Sequence, residues 1–165
     1  MTYLFGLRLF AMVRPKLDAT DQARLLVGTV SSEIKGAAQI KVGTGGLLSF
    51  TEVSLNSPQS GNAIQIYPSS DTNLFVRYYY DSGDRTLKRL VNSNSVVRTM
   101  ASSVTNSTVF RAEDFAGNVL TNNQNNRVIS MVLQFHQREY GAGSAAKNAS
   151  DFFQLRTRVT RRSLL

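Results

Sequence analysis

Cysteine is absent from the 165 residues. That excludes a disulfide framework and a thiolate metal site, and it says nothing about compartment. Histidine occurs once, as His136. Serines and carboxylates are available to it, but a catalytic triad needs a spatial arrangement that spacing alone does not show. His136 lies in an alternating stretch and is read as structural. Acidic residues are few: 11 against 19 lysines and arginines, for a formal charge of +8. A basic chain suits nucleic acid or anionic surfaces. Here the basic residues are scattered, with one concentration at Arg156, Arg158, Arg161 and Arg162, so a solvated basic exterior is the preferred reading. A complete secretory signal is also missing, since no positive charge precedes the first apolar run and no small-residue cleavage site follows it. That run, Tyr3 to Val13, is 11 residues long, where a bilayer span needs about 20.

Two kinds of helix stand at the start. Tyr3, Leu4, Phe5, Leu7, Leu9, Phe10 and Val13 cover all sides of a helix, broken only by Arg8. Such a segment must be buried in protein or lipid. It reads as the tail of a membrane helix. Leu17 to Lys35 is amphipathic instead. Ala23, Leu26, Val27, Val30, Ile34 and Ala37 follow the i, i+3, i+4, i+7 spacing of one face. Asp18 or Thr20 caps its start, Lys35 suits the negative end of the dipole, and Gly36 stops it. Leu26, Val30 and Ile34 are expected to hold this helix against a sheet.

Beyond Gly36 the period changes to two. Strands are expected at Ala38–Val42, around Leu48 and Phe50, and at Ala63–Tyr67 before Pro68. Gly43-Thr44-Gly45-Gly46 is read as a turn. It is not a phosphate loop, because no Gly-Lys-Ser/Thr follows and no helix begins there. A hairpin runs from Asn73 to Val91, turning at Asp81-Ser82-Gly83-Asp84. Asn92 to Asn106 is read as a loop. Thr108–Arg111, Arg127–His136 and Phe152–Val159 complete the strands. The fold expected is α+β, a long N-terminal helix packed on an antiparallel sheet. Residues 1–36 form the helix and 37–165 a β-rich head.

The search for chemistry gives little. Glu113 and Asp114 are adjacent, so on a strand they point to opposite faces and do not pair as acid and base. Asp81 and Asp84 serve the hairpin turn. No catalytic residue, cofactor site or metal site is assigned, and no small-molecule substrate is expected. Arg77, Tyr79 and Arg89 could form a stacking platform for single-stranded nucleic acid. The preferred alternative is that these side chains divide between core and edge.

The order of the pieces carries a resemblance. An apolar helix leads to an amphipathic one ending at Ser32-Glu33-Ile34-Lys35-Gly36-Ala37. A strand ends in Tyr79-Tyr80-Asp81, and the return carries Leu87-Lys88-Arg89. Then come Phe110, Glu113-Asp114 and Gly117, a long strand from Val128 to Phe135, and Leu155-Arg156-Thr157-Arg158-Val159 before Arg161-Arg162. This set resembles type IV pilin-like proteins, specifically J-type minor pseudopilins and PilW-like minor pilins, over nearly the whole chain. The resemblance implies a non-enzymatic structural subunit of a type II secretion or type IV pilus assembly. It implies a single N-terminal anchor in the bacterial inner membrane, a periplasmic head, and a place at a pilus or pseudopilus tip. Partners would be other minor pilins, met through the N-terminal helix at Tyr3 to Val13. The alternative is a basic sheet module for single-stranded nucleic acid, or a DNA-uptake minor pilin combining both. Members of the family open with a short basic leader, a Gly cleavage site and a Phe-led segment containing a glutamate. None of these stands here, so an in-frame extension upstream of Met1 is expected to encode them.

Overall fold

The computed structural model describes residues 22–122, 128–138 and 150–162. Its one helix among these, α1 (residues 22–35), places Ala23, Leu26, Val30 and Ile34 in the core, as their spacing predicts. Gly36 follows, its N–H bonded to the Ser32 carbonyl. The rest is strand: β1 (Gln39–Gly45), β2 (Phe50–Glu52), β3 (Ser60–Gly61), β4 (Ala63–Tyr67), β5 (Val76–Asp81), β6 (Thr86–Val91), β7 (Val96–Ala101), β8 (Phe110–Glu113), β9 (Val128–Arg138) and β10 (Ser150–Thr160). They form two antiparallel sheets. Sheet A has the order β2-β1-β4-β5-β6-β7 and sheet B the order β10-β9-β8-β3.

The expected α+β fold with a long N-terminal helix is therefore corrected, for the described residues, to a β-rich fold with one short helix. Two features explain the difference. Amphipathic spacing among the described residues supports only residues 22–35 as helix. The stretch read as a loop after Asn92 holds a single 3-10 turn (Asn92–Asn94) and then a whole strand, β7. The expected inner-membrane anchor is corrected as well. Among the described residues no helix is long and apolar enough to cross a membrane. The apolar face of α1 is a stripe with Glu33 at its border, and Arg24 and Lys35 occupy its other sides. Tyr3, Leu4, Phe5, Leu7, Leu9, Phe10 and Val13, the residues expected to form the anchor, lie outside the described residues.

One continuous stretch, β3, Asn62 and β4, runs from one sheet into the other. Ser60 and Gly61 pair with β8 in sheet B, and two residues later Ala63 pairs with β1 and β5 in sheet A. A strand that changes sheets bends at the crossing. Asn62 is that bend, and its amide is fully used there. Its Oδ1 accepts the Gly45 N–H, and its Nδ2 donates to the carbonyls of Gly45 and Tyr80, all within 3.2 Å. The backbones of β1 and β3 cross in close contact. A Cβ placed on Gly61 would meet the Gly43 carbonyl oxygen at 1.9 Å. Gly43 consequently belongs to a strand, and the turn lies beyond Gly45.

One apolar cluster runs through α1, the inner face of sheet A and the inner face of sheet B. It includes Leu26, Val30, Ile34, Val42, Ile64, Tyr78, Leu87, Phe110, Ile129 and Leu133. Alternation along each strand puts these residues on one face, as the period of two requires. The outer face of sheet A carries a separate small cluster of Ala63, Tyr79 and Leu90 beneath Phe50 and Phe75.

Candidate functional site

Tyr78 and Arg89 face each other across β5 and β6 and point to the helix side of sheet A. Glu33 comes from α1, three residues after Val30 and four before Ala37, and so lies at the half-buried border of the apolar stripe. Its carboxylate accepts the Tyr78 hydroxyl at 2.5 Å and forms an ion pair with the Arg89 guanidinium, donated through both Nε and Nη2. Burial raises the Tyr78 hydroxyl pKa, and the bond to Glu33 raises it further. Burial is the largest single influence on Arg89 and works against its charge, yet the hydrogen bond and the charge of Glu33, with smaller contributions from Tyr78, together outweigh it and leave Arg89 raised. A charge-assisted, two-point contact of this kind fixes orientation more sharply than apolar packing does. It sets the rotation of α1 on the sheet.

Glu33→Gln should lower stability by about 1–3 kcal/mol, because Arg89 would keep its burial and lose its carboxylate. Urea denaturation in a double-mutant cycle with Arg89→Gln measures the coupling. Equal stability of Glu33→Gln and the parent chain would remove the clamp from this account.

The three residues expected to make a nucleic-acid platform are not brought together. Arg89 points toward α1. Arg77 and Tyr79 point to the other face of sheet A, and both are buried. Arg77, 6% exposed, donates from Nη1 to the carbonyls of Gly46, Leu47 and Ser49, and from Nε to Gln65 Oε1 at 2.9 Å. The Phe50 and Phe75 rings lie 5.5 and 5.0 Å from its guanidinium carbon. Burial lowers its pKa. Its donors hold the β1–β2 hairpin down on the sheet. Tyr79 packs beneath the same hairpin. A stacking platform needs exposed ring faces, and these rings are covered.

Asp81 and Asp84 both bind Lys88 Nζ, at 2.8 and 2.7 Å. This ties the hairpin turn to its return strand. Among the described residues no group of three or more His, Cys, Asp or Glu could hold a metal ion. His136 stands in β9 opposite Phe152, and its side chain lies outside the described set.

Sequence reasoning missed Glu33 and Glu113. Glu33 could have been found as the acidic interruption of an otherwise apolar stripe. Glu113 could not, because its partners Arg156 and Arg158 lie 43 and 45 residues away and only the register of sheet B brings them close. The chain matches no family model, no curated protein and no solved structure.

Proposed function

We propose that this chain is a non-enzymatic structural subunit of the minor pilin or pseudopilin kind, which works by packing α1 beside sibling subunits. The supporting observation is the two-sided character of α1. One side is fixed to the head by Leu26, Val30 and Ile34, all fully buried, and by the Glu33 clamp. The other side is open, with Gln22, Arg24, Gly28 and Ser32 exposed and Leu25 at 70% exposure. A helix held rigidly to its head and free on its far side can pass force between a neighbour and a domain. The ordered sequence features that resemble minor pilins support the same reading.

The absence of cysteine gives a clean test. Gly28→Cys and Leu25→Cys variants would be expressed with candidate pilin-like subunits from the same genome, each carrying one cysteine on its own helix. Oxidation should give disulfide-linked pairs from these helix positions, and none from Thr72→Cys, which lies in an exposed loop. Failure of every helix position to pair with any sibling would refute the subunit role.

A further inference from the structure

The outer face of sheet B is the second surface with a defined construction. Alternation along β10 places Phe152, Gln154, Arg156 and Arg158 on this face, all exposed to solvent. Beside the two arginines stands Glu113, the last residue of β8, with a side chain 2% exposed. Its carboxylate is 3.4 Å from Arg156 Nη2 and 2.9 Å from Arg158 Nε. A buried carboxylate of this kind orients both guanidiniums while they stay 53% and 37% exposed. Arg158 also donates from Nη2 to the carbonyls of Asp114 at 2.8 Å and Phe115 at 3.4 Å.

Those carbonyls belong to a closed turn. The Asp114 N–H donates to the Asn118 carbonyl. Asp114 Oδ1 and Oδ2 accept the backbone and side-chain N–H groups of Asn118, each at 2.9 Å. Gly117 takes φ +97°, a value that suits glycine and keeps the turn tight. At the tip is Phe115, 93% exposed. The turn and the arginines border a recess of about 660 Å³ lined by Ala116, Gly117, Arg156, Thr157 and Arg158.

We infer that this face docks an acidic segment of another protein, with Phe115 as its apolar anchor and Arg156 and Arg158 as its carboxylate receptors. Aromatic residues and arginine dominate binding energy where they are fixed before the partner arrives. Here the Asn118 bonds hold the ring's turn, and Glu113 and the turn carbonyls hold the guanidiniums. The charge balance selects the partner. Asp114 keeps its charge but turns both carboxylate oxygens to Asn118, and Glu113 is buried beside two arginines. Exposed Arg111, which like Arg158 stands opposite Ser130 of β9, joins Arg156 and Arg158, so guanidiniums outnumber carboxylates three to two on this face. The face lies on sheet B and the inference is independent of the subunit role of α1.

The probe is a fluorescein-labelled dodecapeptide of glutamate with two central leucines, compared by anisotropy with an all-glutamate peptide, an all-lysine peptide and an oligothymidylate. The mixed peptide should bind most tightly and weaken with salt. Arg156→Gln and Phe115→Ser should each weaken it about fivefold or more. Arg98→Gln, on exposed β7 of sheet A, should leave it unchanged. Circular dichroism of each variant guards against loss of fold, which neither exposed substitution should cause. An equal loss from Arg98→Gln would mean that net charge alone is responsible, and would overturn the site. Tighter, Arg156-dependent binding of the oligothymidylate would reassign the face to nucleic acid. No effect of Phe115→Ser would remove the anchor and the proposal with it.

Discussion

Val30→Asp will not accumulate as a folded protein. Val30 is fully buried between α1 and the sheets. An ionised carboxylate there has no partner, and a protonated one still leaves polar atoms unpaired. The cost is several kcal/mol, against a total stability of roughly 5–15 kcal/mol for a domain. Leu25→Asp is the control. It introduces the same side chain on the same helix, at a position 70% exposed, and should shift stability by no more than about 0.5 kcal/mol. Thermal unfolding followed by circular dichroism separates the two. Parallel behaviour of both variants would mean that the stripe Leu26–Val30–Ile34 does not bind the helix to the sheets.

Gly61→Ala should be the most damaging of the glycine-to-alanine changes among the described residues. The added carbon would sit 1.9 Å from the Gly43 carbonyl oxygen and 2.7 Å from its carbon. Overpacking commonly costs about 1–3 kcal/mol when side chains can shift. Here the obstacle is backbone, so the expected loss is at the top of that range, about 3 kcal/mol, or beyond it. Gly46→Ala meets nothing within 4 Å and should be nearly neutral. Urea midpoints of the two variants provide the measurement. A Gly61→Ala protein as stable as the parent would show that β1 and β3 do not cross at this distance.

These two sites differ in how far the sequence revealed them. Val30 was legible because a helix buries one stripe, and a stripe has a period. The β5–β6 hairpin was legible for a similar reason: Val76, Tyr78 and Tyr80 alternate with Arg77 and Tyr79 around a polar turn. Gly43 and Gly45 misled, because four residues rich in glycine read as a turn when nothing shows the second backbone that requires them. β7 was invisible because its residues from Val96 to Thr99 are all exposed. An edge strand without a buried half has no alternation to detect. Arg77 looked like a surface cation. The carbonyls that surround it come from residues 28 to 31 positions away, and local pattern does not reach that far. The interaction face on sheet B was visible only as composition, the arginines near the C-terminus. Their shared carboxylate and the neighbouring Phe115 required the register of β8, β9 and β10.

The strand that changes sheets at Asn62 has a consequence for synthesis. Every partner in sheet A lies between residues 39 and 101. As the chain leaves the ribosome, that sheet can close while the last third is still being made. β3 cannot close with it. Its partner β8 begins at Phe110, and β9 and β10 come later still. For that interval the nascent chain carries an unpaired edge held in place by a sheet already formed, together with an apolar inner surface awaiting its cover. Unpaired edges of this kind recruit other chains. The vulnerable period in the life of this protein is therefore the time needed to translate the 59 residues from the end of β7 at Ala101 to the end of β10 at Thr160, about 3–12 s at about 5–20 residues per second, and a chaperone that shields the half-built head would act in that window.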